Sequence, residues 1–141
     1  MSRNTYVLLA TLGSAALLLG AFAFQHLGGL APCKLCLWQR WPHAAAIIIG
    51  IIVLFGAPRA LIWFGALAVT ATGAIGVYHP VEDWTLARSA AAIFLSMDAP
   101  SGLVMCDEIV WQMFGLSMAG WNAVISVVLL GLWVAAARAR R

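Results

Sequence analysis

The stretch AAAIIIGIIVLFGAPRALIWFGALA, residues 44–68, decides the fold of this chain. It is apolar on both sides of one short interruption, Gly56-Ala57-Pro58-Arg59. Proline lacks a backbone donor and clashes with the preceding helical turn, so Pro58 must end one helix before the next begins. The stretch therefore predicts two apolar helices joined by a tight turn.

The composition around this stretch indicates a membrane protein. Of the 141 residues, 64% are hydrophobic and 9% are charged, and the mean hydropathy is +0.97. Soluble domains carry about 25% charged residues. The net charge of +3 comes from scattered basic residues, which does not resemble a nucleic-acid-binding surface. We expect a single membrane domain over residues 1–141, with lipid rather than nucleic acid around it.

Four segments are apolar and long enough to cross a bilayer, which needs about 20 helical residues. Lipid offers the backbone no hydrogen-bond partners, so each segment must be helical. The fold prediction is an all-α bundle of four transmembrane helices. The first run also has the features of a signal peptide, with Ala21-Phe22-Ala23 as a cleavage pattern, but its length favours a span. The predicted spans are residues 6–24, 37–56, 60–78 and 119–137.

Basic residues near the span ends predict the orientation, because cytoplasmic loops are enriched in lysine and arginine. One side has Lys34, Arg40 and Arg88. The other side has Arg3, Arg59, Arg138, Arg140 and Arg141. The second group is larger, so we expect cytoplasmic termini and two outer segments, about residues 25–40 and 79–118. Within the latter, the apolar stretch 84–97 is predicted to be a short interfacial helix or a loop over the bundle.

The thiols carry the clearest chemical signal. Cys33-Lys34-Leu35-Cys36 lies in the first outer segment, and Cys106 lies in the second. A pair of thiols at this spacing can close a small disulfide or bind a soft metal. A four-ligand zinc site needs two further ligands, and the chain has no second pair of this spacing. The pattern therefore favours redox chemistry on the outer side, where disulfides persist.

Three polar residues near these thiols are candidates for a supporting role. Arg40 follows Cys36 by one helical turn, so it shares a helix face with that thiol and can stabilise its thiolate. Snorkelling to lipid phosphates is the alternative for Arg40. His43 and His79 lie near span ends, where a histidine is either an interfacial residue or a donor of hydrogen bonds and protons.

Two motifs resemble the DsbB family, the disulfide-bond oxidases of the bacterial inner membrane. Residues 28–43, GGLAPCKLCLWQRWPH, resemble the first outer loop of that family. Residues 106–108 and 114–122, CDE and FGLSMAGWN, resemble the stretch that enters its last span. The resemblance implies four membrane helices and a disulfide:quinone oxidoreductase. It also implies a DsbA-like periplasmic thioredoxin-fold partner and ubiquinone or menaquinone as cofactor. The DsbA–DsbB–quinone route is known to keep the bacterial periplasm oxidising.

The resemblance also implies a role for each matching residue. Cys33 and Cys36 correspond to the disulfide beside the quinone, and Cys36 to the thiolate that engages the quinone ring. Arg40 and His79 correspond to residues that bind the quinone head group. Cys106 corresponds to the second cysteine of the outer-loop pair. The first cysteine of that pair has no counterpart, since residues 80–105 contain no cysteine. We therefore expect impaired exchange with DsbA and a resting Cys33–Cys106 disulfide.

Three other interpretations stay open at this point. A vitamin-K-epoxide-reductase-like bundle also couples a thiol pair to quinone, but its pair lies in the last span. A small metal-transport or metal-binding membrane protein would use Cys33 and Cys36 with His26 or His43, and thiolates favour Zn²⁺ or Cu⁺. An inactive relative would account for the missing loop cysteine.

Overall fold

A computed structural model describes residues 1–81, 112–114 and 116–139. The long helices are α1 (Arg3–His26), α2 (Lys34–Leu54), α3 (Leu61–Val81) and α4 (Met118–Arg138). At 1.5 Å per residue, a helix of 21 residues is about 32 Å long, which matches the bilayer core of about 30 Å. All four are apolar enough to cross a membrane. The predicted fold class is confirmed.

The helix ends differ slightly from the predicted spans. Helix α2 begins at Lys34 rather than at residue 37, because the Cys33 side chain caps it. Helix α3 continues through Pro80 to Val81, beyond the predicted end of the span at residue 78. Between α2 and α3 the chain turns through Gly56, whose φ of 102° favours glycine. The turn predicted at Pro58 is present.

A short hairpin precedes α4. Strands β1 (Gln112–Met113) and β2 (Leu116–Ser117) are antiparallel, and Met113 pairs with Leu116. The Ser117 hydroxyl then accepts a hydrogen bond from the Gly120 amide at 3.3 Å and caps α4. The hairpin thus sets the point at which the chain enters the last helix. The predicted interfacial helix over residues 84–97 and Cys106 both lie outside the described residues.

The helices form a closed ring in which α1 packs on α2, α2 on α3, α3 on α4 and α4 on α1. Small residues allow this close approach. A Cβ atom added at Gly65 would lie 2.6 Å from the indole of Trp133, and one at Gly76 would lie 2.9 Å from the Ala119 carbonyl oxygen. Trp133 is fully buried, so α3 and α4 pack around it.

The two ends of the bundle have different chemistry. The end where α1 finishes, α2 starts, α3 finishes and α4 starts is called the cysteine end, because it holds Cys33 and Cys36. The opposite end holds the turn between α2 and α3, where the Arg59 guanidinium donates a hydrogen bond to the carbonyl of Ala137. This bond ties the turn to the last helix. The apolar core between the two ends consists of Val7, Ala10, Ala46, Val53, Ile62, Ala66, Val69, Leu129, Trp133, Ala136 and Ala137.

Candidate functional site

The two thiols lie at the first turn of α2. Cys33 is the N-cap residue, with an extended backbone (φ −79°, ψ 167°), and its Sγ accepts a hydrogen bond from the Cys36 amide at 3.2 Å. The two Sγ atoms are 3.0 Å apart, against about 2.05 Å in a disulfide. Cys33 is buried and Cys36 is half-buried. Small side-chain rotations suffice to close this pair.

The helix start also favours the thiolate form of these residues. The unpaired amides of a first turn carry partial positive charge, which stabilises a nearby anion. A thiolate, and not a thiol, is the nucleophile in disulfide exchange. The sequence predicted this environment for Cys36, and the structure extends it to Cys33, whose sulfur already accepts an amide hydrogen bond.

Arg40 lies one turn below Cys36 and reaches across to α1. Its guanidinium carbon is 4.7 Å from the centroid of the Phe22 ring, and its Nη2 approaches the Ala21 carbonyl oxygen at 3.5 Å. The positive charge interacts electrostatically with Cys36. The Nε of Arg40 is buried without a hydrogen-bond partner among the described residues. The side chain thus packs on the exposed aromatic ring of Phe22 on α1, and it keeps a donor available.

A second polar group lies deeper, between α2, α3 and α4. We call Gln39, His43, Thr72 and Asn122 the polar quartet. Asn122 is its centre: its Oδ1 is 2.9 Å from His43 Nε2, and its Nδ2 is 3.1 Å from Gln39 Oε1 and 3.0 Å from Thr72 Oγ1. The Thr72 hydroxyl lies 3.2 Å from the backbone carbonyl oxygen of Gln39. Three helices are thereby joined by side-chain hydrogen bonds next to the thiol site.

The sequence interpretation singled out only His43 of this quartet. Gln39 and Asn122 lie in the family motifs without an assigned contact, and no motif includes Thr72. A polar side chain inside an apolar span is the signal that could have found all of them, because such residues usually face the bundle interior. Which of them meet depends on helix rotation, which a sequence of this kind does not specify.

Comparison with known proteins now decides the family. The sequence profile described as "Disulfide bond formation protein DsbB" matches residues 3–136. The chain belongs to the DsbB family. "Disulfide bond formation protein B" of Marinobacter nauticus is 31% identical over 141 residues, covering 85% of this chain and 84% of the relative. The protein of that name from Idiomarina loihiensis is also 31% identical, covering 90% and 81%. "Disulfide bond formation protein B 2" of Pseudomonas aeruginosa is 28% identical, covering 84% and 81%. No solved structure matches the chain.

Membership in the DsbB family confirms the predicted resemblance and makes the chain an oxidoreductase of disulfide bond formation. The structure brings Cys33, Cys36 and Arg40 together at the start of α2. His79 lies in the last turn of α3, at the same end of the bundle, and its side chain is outside the described part of the chain. The roles assigned to these residues and to Cys106 stay predictions.

Proposed function

We propose that this DsbB-family chain is a protein-disulfide:quinone oxidoreductase that reoxidises a DsbA-like periplasmic thioredoxin-fold protein. Ubiquinone or menaquinone in the membrane would take the electrons. The observation that carries the proposal is the 3.0 Å approach of the Cys33 and Cys36 sulfurs at a helix start, one turn from Arg40. The shared name of the relatives, disulfide bond formation protein, supports the same activity.

The chemistry of this site is a two-electron exchange. When the two thiols form one S–S bond, two electrons and two protons leave the pair. The amides at the start of α2 and the Arg40 guanidinium favour the thiolate from which the reaction begins. In the other half-reaction, a thiolate of the partner attacks the Cys33–Cys36 disulfide, directly or through Cys106, and forms a mixed disulfide that a second thiolate resolves.

The residues around Arg40 fit a quinone. A quinone carbonyl oxygen accepts hydrogen bonds, and Arg40 has a buried Nε without a partner among the described residues. Phe22 offers an aromatic surface beside this guanidinium. Cys36, Arg40 and His79 are the residues that we propose to hold the head group. The bound quinone supplies an acceptor for two electrons and two protons.

The proposal includes a location and an orientation. As a multi-pass protein of the bacterial inner membrane, the chain would have both termini in the cytoplasm and its cysteines in the periplasm. The positive-inside rule supports this, since Arg3, Arg59 and Arg138 lie at the end opposite the thiols. A periplasmic thiol site gives a DsbA-like protein access from water and a quinone access from lipid. The whole chain, residues 1–141, would act as one domain.

The direct test is a thiol count on the reduced protein in membranes, before and after quinone is added. We expect quinone to remove two thiols per chain, and Cys33→Ser or Cys36→Ser to abolish that loss. Lys34→Ala, which changes one of the two residues between them without removing a sulfur, is the matched control and should behave as wild type. A thiol count unaffected by quinone would overturn the proposal.

The metal-binding alternative has less support. Among the residues that the structure describes, no three His, Cys, Asp or Glu side chains come together in a way that could hold a metal ion. The same protein sample can be titrated with Zn²⁺ and Cu⁺. Stoichiometric binding together with absent quinone-linked thiol oxidation would favour the metal-binding function.

A further inference from the structure

The hydrogen bond from Thr72 to a backbone carbonyl sets the direction of the other hydrogen bonds in the polar quartet. The carbonyl oxygen of Gln39 can only accept, so the Thr72 hydroxyl, 3.2 Å away, must donate its single hydrogen there. Thr72 Oγ1 can then only accept from Asn122. The neighbouring atom of Asn122, at 3.0 Å, must therefore be the donor Nδ2.

The side-chain amide of Asn122 now has a fixed orientation. Its second Nδ2 hydrogen points to Gln39 Oε1 at 3.1 Å, so both of its donors are used. Its Oδ1 faces His43 Nε2 at 2.9 Å and can only accept. His43 must consequently donate from Nε2. A neutral imidazole has one N–H, so the Nδ1 of neutral His43 is left with a bare lone pair.

That bare nitrogen is buried. His43 is 3% exposed, and its Nδ1 has no hydrogen-bond partner among the described residues. The neighbouring Gln39 is 6% exposed, and its Nε2 likewise has none. Unsatisfied hydrogen-bonding atoms of this kind cost free energy in a membrane interior, where water does not replace the missing hydrogen bond. A buried base with an unoccupied proton site calls for an explanation beyond packing.

We propose that His43 is a proton-accepting positioning residue of the thiol–quinone reaction, and that Thr72 sets its tautomer through Asn122. This inference rests on the proposed function. Oxidation of the two thiols releases two electrons and two protons, and quinone takes up the same number of each. His43 holds one of these protons on Nδ1 between its loss from a thiol and its delivery to the acceptor, and it ends the cycle neutral.

The position of His43 along α2 suits this role. It follows Cys36 by two turns on nearly the same helix face, about 10 Å along the axis, and Arg40 lies between them. Among the described residues, the other ionisable groups at this end are Lys34 on α2, His26 on α1, and Tyr78 and His79 on α3. Helix α4 contributes none in its described first half, so Asn122 meets His43 as a neutral partner.

The first test reads the tautomer directly and needs no turnover. In detergent-solubilised protein labelled with ¹⁵N-histidine, NMR distinguishes protonated from bare ring nitrogens, and His43→Gln identifies the signals. We expect neutral His43 to have Nε2 protonated and Nδ1 bare. Thr72→Val should populate the Nδ1–H tautomer of His43, even though Thr72 does not contact that histidine. Thr72→Ser retains the hydroxyl and should match wild type. An Nδ1–H tautomer in wild type, or no change of tautomer in Thr72→Val, would refute the proposal that Thr72 sets the tautomer of His43.

The second test asks whether the proton site is used. His43→Gln retains an N–H donor for Asn122 Oδ1 but has no base. The rate of quinone-linked thiol oxidation should depend less on pH in this variant. In a plot of the logarithm of that rate against pH, the slope on the acidic side should be lower by about one than in wild type. His26→Gln, an exposed histidine at the same end, should keep the wild-type profile.

These outcomes separate the two proposals. Equal pH profiles in wild type and His43→Gln would overturn the proton role while leaving the oxidoreductase intact. Failure of quinone to oxidise the wild-type thiols would overturn the function and the proton role together. The NMR experiment would still decide whether Thr72 and Asn122 fix the tautomer of His43.

Discussion

The Arg40 guanidinium lies over the ring of Phe22, with 4.7 Å between its central carbon and the ring centroid. This contact joins the start of α2 to the end of α1, and it holds the cation one turn below Cys36. A cation–π contact contributes about 0.5–2 kcal/mol, more when it is shielded from water. Phe22 therefore helps to orient the charge that the thiol site uses.

Replacing Arg40 should weaken quinone binding more than it affects the thiols. A hydrogen bond to a charged group contributes about 1.5–3 kcal/mol, so Arg40→Ala should raise the KM for quinone about tenfold or more. The Cys33–Cys36 disulfide should still form with a chemical oxidant. Steady-state kinetics with a soluble quinone analogue measure the change. Phe22→Leu keeps the cation and should have a smaller effect, and unchanged kinetics in Arg40→Ala would favour snorkelling.

Close packing of α3 on α4 should make Gly65 intolerant of any side chain. The added Cβ of Gly65→Ala would lie 2.6 Å from the fully buried Trp133 ring, so the ring or the helix backbone would have to shift. Overpacking of this kind costs about 1–3 kcal/mol of unfolding free energy. Gly131→Ala is the control, since nothing lies within 4 Å of its added Cβ. Denaturant titration in mixed micelles compares the two, and equal stability would contradict this packing.

The orientation can be tested with topology reporters. A reporter fused after residue 141 should be cytoplasmic, and one inserted near residue 101 should be periplasmic, because the basic residues favour cytoplasmic termini. A cysteine-accessibility measurement at Cys36 gives an independent check from the periplasmic side. Finding both reporters on one side of the membrane would contradict four spans.

The odd number of cysteines predicts a specific resting disulfide. With no cysteine in residues 80–105, Cys106 can pair only with Cys33, Cys36 or another protein. We expect a Cys33–Cys106 disulfide that leaves Cys36 as the thiolate. We also expect poor turnover of DsbA, because the loop cysteine that attacks DsbA is missing. Mass spectrometry of alkylated, unreduced protein identifies the pairing. A Cys33–Cys36 link with an alkylated Cys106 would refute the expected bond, and fast DsbA oxidation would refute the defect.

The spans and the thiol pair could be predicted from the sequence because each depends on local features. Apolar length determines a membrane helix, and Pro58 separates two of them. The start of α2 lies three residues before the predicted span because Cys33, an uncommon N-cap residue, caps the helix. The polar quartet cannot be predicted in the same way, because its members come from three largely apolar helices without a continuous polar stripe to indicate which faces meet.

The hydrogen bond from Arg59 to the Ala137 carbonyl depends on the side chain at position 59 but only on the backbone at position 137. A peptide carbonyl is present whatever residue occupies position 137, so any side chain small enough for that buried site preserves the acceptor. The donor is a particular guanidinium that must extend from a turn to the end of α4. Small side chains at position 137 therefore keep the hydrogen bond, whereas a residue at position 59 without a long side-chain donor removes it.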